Sequence, residues 1–246
     1  MFSPVDFRTY LAERTGVLGS EISVPEDIIF TYDTGIFRAA IAQTAAHPVG
    51  WYIYHDMLYR GAHGGKEVGI VRAMIGAPAA TTNLEELVAY GARRIYELGL
   101  SGAIDTRLEP GDIVLLSGAF SDEGTSRHYY RTGRRFTPSV SLTKRLRLSL
   151  KDANLEHVLA DAWTIDAPYR ETVEKIIHFR RKGAQVVNME SSAIFAVARY
   201  RKIDAASVQI VSDVVSEEGW NAAFHSEIVD KRRNDVLAAV LRSVSG

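Results

Sequence analysis

Val186-Val-Asn-Met-Glu-Ser-Ser-Ala-Ile-Phe-Ala-Val-Ala-Arg-Tyr200 joins a β-branched run to an alanine-rich helical pattern, with one carboxylate, Glu190, at the junction. Gln185, Val186 and Val187 read as a buried strand, whereas Ile194, Val197 and Ala198 recur at helical spacing. Glu190 is therefore expected where a strand ends and a helix begins. In open α/β sheets that is where ligands bind.

The same alternation runs outward in both directions. Asp-Ile-Ile-Phe-Thr-Tyr at 27–32 reads as a first buried strand, followed by Asp33-Thr-Gly and a helical pattern over 36–46. Arg38, in the first turn of that helix, is either an anion ligand or a solvated side chain. The runs 50–54 and 68–75 flank His63-Gly-Gly, which suggests a hairpin. Ile75-Gly-Ala-Pro then turns from a strand end into a helix, through residues small enough for a ligand or a neighbouring backbone to approach. A strand within 91–104 is expected to end in a glycine-rich turn at Gly99 to Gly102, with another strand at 110–116. The segment 122–130 reads as a surface loop, 139–155 as helix and 163–172 as a strand end entering a helix near Pro168. Residues 206–213 form a strand that delivers Asp213 at its C-terminal end, 217–223 a loop and 226–244 a final helix. Residues 1–26 are expected to wrap the surface of a single domain spanning 1–246. Strands alternating with helices imply an α/β protein with a mixed, mainly parallel sheet covered on both faces.

Composition excludes several function classes. The 246 residues are 46% hydrophobic and 24% charged, with a formal net charge of -1 that gives no reason to expect nucleic-acid binding. The chain has no cysteine, so a disulfide framework, a thiolate metal site and a thiol nucleophile are all excluded. The seven histidines show no metal-ligand spacing, and no metal is expected. No apolar run is long enough to span a bilayer and the first residues do not resemble an export signal, so a cytoplasmic location is expected. Gly99 to Gly102 lacks the three-glycine spacing of a dinucleotide fingerprint.

Glu190 and Asp213 are both expected at the ends of buried strands, which suggests a site. Each could instead cap a helix N-terminus.

The motifs carry a resemblance once taken together. Ile-Gly-Ala-Pro (75–78), Gly-Leu-Ser-Gly-Ala (99–103), Pro-Gly-Asp-Ile-Val (110–114), Glu-Gly-Thr-Ser-Arg-His-Tyr (123–129), Thr-Ile-Asp-Ala-Pro-Tyr-Arg-Glu-Thr (164–172), Asn-Met-Glu-Ser-Ser-Ala (188–193) and Val-Ser-Asp (211–213) occur in that order. From about Ile28 onward the chain resembles the nucleoside phosphorylase superfamily, which includes uridine phosphorylases, hexameric-type purine nucleoside phosphorylases and hydrolytic nucleosidases. The resemblance implies a three-layer α/β/α sandwich, a homodimer or a hexamer of dimers, and a nucleoside substrate.

By the same resemblance Met189 and Glu190 match the ribose-binding pair. A carboxylate there orients sugar hydroxyls and favours the positive charge that develops as the glycosidic bond breaks. Asp213 matches the aspartate that protonates a departing purine, which tilts the expected base toward purine over uracil. Asp166, Tyr169 and Arg170, with Thr164, match the segment beside the base, and Gly99 and Ser101 the central glycine turn. His128, with Tyr129 and Tyr130, either lies over the ribose 5′ position or is an exposed loop histidine. Glu97 and Leu100 depart from the pattern, because they stand where phosphorylases carry an arginine and a hydroxyl residue. A carboxylate repels phosphate, and leucine donates no hydrogen bond. Tyr54 stands where an arginine is donated across a dimer, and Asn188 replaces a glutamate.

Three functions are therefore weighed. The first is phosphorolysis to ribose 1-phosphate, with Arg38, Arg60 and Arg127 as a rebuilt anion site and inorganic phosphate as co-substrate, no other cofactor being needed. The second is hydrolysis, with Glu97 or Asp33 orienting water. The third is small-molecule binding without catalysis on the same fold.

Overall fold

The structure is a computed structural model that describes residues 2–54, 56–132, 134–217 and 219–246. In chain order the elements are α1 (Pro4–Thr15), β1 (Asp27–Thr31), α2 (Thr34–Thr44), β2 (His47–Pro48), β3 (Leu58–His63), β4 (Lys66–Arg72), α3 (Ala77–Tyr90) and β5 (Arg94–Ala103). There follow β6 (Ile113–Asp122), β7 (Arg135–Phe136), α4 (Val140–Asp152), β8 (Val158–Ile165), α5 (Val173–Arg181) and β9 (Ala184–Asn188). The chain finishes with α6 (Ser191–Arg201), β10 (Asp204–Ser216), β11 (Gly219–Ala222) and α7 (Glu227–Ser245).

The strands form one mixed sheet in the order β11-β10-β6-β8-β9-β5-β1-β4-β3-β2, with β7 on β6. β10 also pairs with β5, in parallel, so β5, β10, β6, β8 and β9 close on one another. Along β1 the alternation of side chains separates two cores. Ile28 and Phe30 pack with α3 and α6 residues such as Leu84 and Ile194, while Ile29 packs with Ile36, Leu146 and Leu237 of α2, α4 and α7. Helices therefore cover both faces, as expected for an α/β sandwich. A smaller core beneath α5 stacks Trp163 on Phe179 at 4.8 Å. No helix among the described residues is long and apolar enough to cross a membrane.

Several local expectations are corrected, none of them in the N-terminal stretch. That stretch contains α1, whose Ser3 and Asp6 form a reciprocal capping box with Pro4 in the first turn, and whose Leu11 is fully buried. The hairpin at Gly64-Gly65 joins β3 to β4, and residues 50–54 are not strand. Gly99 to Gly102 is not a turn but the interior of β5. A side chain at Gly99 would meet the Gln209 amide at 2.7 Å, so the glycine serves strand packing. The presumed surface loop starting at Asp122 is anchored by the buried Glu123, which accepts bonds from Ser121, Ser192 and the Ser126 amide. Residues 219–222 are strand rather than loop, since β11 pairs antiparallel with the end of β10, and position 218 lies outside the described residues. Asp213 therefore does not end its strand. Between Val211 and Asp213 the register against β5 slips by one residue, a bulge that brings Ser212 and Asp213 to the same cavity.

Candidate active site

A cavity of about 350 Å³ opens where β5, β9 and β10 come together, beside the loops after β1, β4 and β8. Glu190, Met189 and Asn188 enter from the β9–α6 junction, and Ser101 and Gly102 from β5. Ser212 and Asp213 come from β10, Tyr32 and Asp33 from the end of β1. Ile75, Leu100, Pro168, Val187 and Phe224 supply the apolar wall.

Glu190 occupies the N-cap position of α6 without capping it. Its Oε1 accepts from the Gly76 amide at 2.8 Å and its Oε2 from the Met189 amide at 3.2 Å. Gly76 holds a φ of 97°, which glycine alone adopts without strain, and this turns its N–H toward the acid. Burial, aided by the charge of nearby Glu97, pushes Glu190 up to about 8. Asn188 is fixed between the Thr164 hydroxyl at 2.9 Å and the Ser191 hydroxyl at 2.6 Å. The Ser101 hydroxyl is buried and has no partner among the described residues, which leaves a hydrogen-bonding group for a ligand.

Across the cavity, Asp213 accepts from the Ser212 hydroxyl at 2.7 Å and from the Trp220 indole at 2.8 Å. Glu171, which follows the short 3-10 turn Pro168–Arg170, lines the same end. Burial first, then the charge of Asp213, pushes Glu171 up to about 7. Sequence reasoning missed this residue. The spacing Pro168-x-x-Glu171, which returns a side chain to the wall after one short turn, was the available sign.

The expected site residues divide accordingly. Glu190, Met189, Asp213 and Ser101 line the cavity. Tyr169 is 100% exposed, Arg170 is exposed, and Asp166 binds the Gly124 amide at 2.8 Å, so none of the three lines it. His128 and Arg127 are exposed on the 3-10 turn Thr125–His128, and Arg38 is exposed on α2. Arg60 donates to the Ser23 carbonyl at 2.8 Å. Neither these arginines nor any other arginine or lysine lines the cavity among the described residues, whereas Asp33, Glu171, Glu190 and Asp213 all do. Asp33 caps α2 through the Ile36 amide and pairs with Arg233 at 3.1 Å. Glu97 lies fully buried behind the wall, accepting from Tyr32 and Ser191, and burial raises it above the ordinary carboxylate range. Tyr54 packs edge-on against Tyr52, away from the cavity.

A mixed α/β fold with facing carboxylates in a strand-end cavity defines a class that comparison with known proteins makes specific. Residues 28–245 match the model of the Phosphorylase superfamily, and the chain belongs to that family of enzymes. A guanosine phosphorylase from Halorubrum lacusprofundi is 26% identical over 180 residues, covering 73% of this chain and 75% of that protein. A DeoD-type purine nucleoside phosphorylase from Bacillus cereus is 26% identical over 210 residues, covering 83% and 86%. An uncharacterized mimivirus protein is 27% identical over 168 residues, and the match spans 68% of this chain and 65% of that one. The purine nucleoside phosphorylase of Toxoplasma gondii, solved with immucillin-H, superposes with a TM-score of 0.82 at 18% identity over 92% of each chain. Uridine phosphorylase from Vibrio fischeri gives 0.79 at 20% identity, over 90% of this chain and 92% of its own.

Proposed function

We propose that the protein cleaves the N-glycosidic bond of a ribonucleoside, a purine nucleoside in preference to uridine, and that water is the acceptor. The observation that carries the reading is a single cavity lined by Glu190 and Met189 and by the carboxylates of Asp213 and Glu171, the last two close enough for Asp213 to act on Glu171. Glu190 and Met189 would hold the ribose, the unpartnered Ser101 hydroxyl would bond to the ligand, and Phe224 and Pro168 would cover the base. As the bond to the base weakens, positive charge grows on the sugar, and Glu190, fixed by the Gly76 and Met189 amides, orients the hydroxyls beside that charge. An acid at the base end lets the purine leave neutral.

Water is favoured because four carboxylates and no arginine or lysine line the cavity among the described residues. A phosphate dianion entering there would find no side-chain cation to pair with. Phosphorolysis is the second reading, supported by relatives named as phosphorylases. The test is to incubate inosine, guanosine, adenosine and uridine with and without inorganic phosphate and to analyse the products. Free ribose without phosphate supports hydrolysis, ribose 1-phosphate formed only with phosphate supports the second reading, and four intact nucleosides reject both. No cofactor is proposed. A homodimer or hexamer of dimers is proposed for the assembly, to be checked by light scattering on the eluting protein.

A further inference from the structure

The two acids at the base end of the cavity keep different company. Both oxygens of Asp213 are occupied by donors, the Ser212 hydroxyl and the Trp220 indole, and an indole N–H can only donate. Glu171 is half-buried on the facing wall, and its carboxyl has no hydrogen-bond partner among the described residues. Two acids at one site do not readily ionise together, and the one without donors takes the proton.

We propose that Glu171, rather than Asp213, protonates the departing base, and that Asp213 is the fixed anion that keeps Glu171 protonated. The proposal rests on the glycosidase reading above. The charges around Glu171 support it. Asp213, Glu190 and Asp33 share its cavity, Arg233 is engaged by Asp33, and Lys175 of α5 is engaged by Asp122 at 2.8 Å. Arg170, its sequence neighbour, is exposed. Burial and Asp213 together put Glu171 at about 7, so a substantial fraction carries the proton at neutral pH.

In the step itself the Glu171 O–H bond breaks as an N–H bond forms on the base nitrogen. The electron pair of the C1′–N bond leaves with the base. Water then gives an electron pair to C1′, and the proton it loses passes through solvent to restore the Glu171 acid.

The test compares guanosine with 7-methylguanosine, whose base is already cationic and departs without a proton. Glu171→Gln is expected to lose about 100-fold or more in kcat on guanosine, the usual worth of a general acid. It should stay within about threefold on 7-methylguanosine, because no proton is needed there. Wild-type kcat on guanosine should fall as pH rises through about 7, and Asp213→Asn should move that limb to lower pH without erasing it. Equal losses of Glu171→Gln on both substrates, or a limb erased by Asp213→Asn and kept by Glu171→Gln, would overturn the proposal alone. Failure of the wild-type chain to cleave either nucleoside would overturn the glycosidase reading with it.

Discussion

The Tyr32 hydroxyl donates to Glu97 Oε1 at 3.0 Å, and this bond ties a residue of the cavity wall to a fully buried carboxylate behind it. Ser191 at the start of α6 fills the other oxygen at 2.7 Å. Glu97 thus links the ends of β1 and β9 through β5, a structural reason for a carboxylate at this position. Glu97→Ala would take the acceptor from the buried Ser191 hydroxyl and the part-buried Tyr32 hydroxyl and should cost about 1–3 kcal/mol for each donor left unpaired, measured by urea unfolding. Glu97→Gln, which can still accept one bond, should cost less than half as much. Equal costs for the two variants would show that the bonds to Tyr32 and Ser191 contribute little.

Glu190→Gln removes the ionisable group but keeps a carbonyl that can accept from Gly76 or Met189. Under the proposed function it should raise KM and lower kcat together. It should also narrow the preference for a ribonucleoside over its 2′-deoxy counterpart. Kinetics on inosine and 2′-deoxyinosine check this, and an unchanged preference removes Glu190 from the sugar.

Stability should fall as pH rises toward 8. Glu86 is pushed by burial from 4.5 to about 7, so the folded chain holds its proton more tightly than the unfolded chain does. Its contribution is complete below 4.5 and is lost as pH climbs through about 7. Glu171 and Glu190 act with the same sign over neighbouring windows. Glu86 lies on α3 outside the cavity, and its Oε2 has no partner among the described residues. Glu86→Gln should therefore gain about 1–3 kcal/mol at pH 8.5 relative to wild type, and little at pH 5. Thermal melts at both values read the difference, and a gain that is the same at both points to packing rather than titration.

Gly61→Ala tests the contact between β3 and the end of α2. A methyl group there would lie 2.6 Å from Thr44 Oγ1, 2.7 Å from the Thr44 carbonyl and 2.8 Å from Ala46 Cβ. Two of these atoms belong to backbone or to a short side chain that cannot swing away. Overpacking of this kind costs about 1–3 kcal/mol, and a melt unchanged within one degree would show that α2 shifts freely.

Much of the layer order could be read from periodicity. The β9–α6 junction, β1, β8 and α7 all bury the residues their patterns nominate, because a strand or helix with one apolar register has few ways to hide it. The expectations that failed depend on partners distant in sequence. Gly99 looked like a turn because glycine marks turns locally, yet its small size answers Gln209 on β10. Residues 219–222 show no alternation, and their strand exists only because the end of β10 offers an edge. The site divides in the same way. Glu190 was legible from its place at a strand end, whereas Tyr169 and Arg170 carry recognisable residue types on a turn that faces solvent. Glu171 acquires its character first from burial and then from Asp213, 42 residues later, and its local spacing from Pro168 encodes neither.

The slipped register in β10 has a consequence that concerns chain length rather than chemistry. Val211 faces Ser101 and Asp213 faces Gly102, so Ser212 is one residue more than the ladder needs. A bulge lets two residues of one strand stand opposite one residue of its neighbour, and beyond it the pairs resume in step. Deleting Ser212 would leave Asp213 opposite Gly102 and on the same side of the sheet, so the strand can absorb here a one-residue loss that would turn every later side chain over in an unbulged strand. What such a deletion removes is Ser212 itself, the hydroxyl that donates to Asp213 Oδ1.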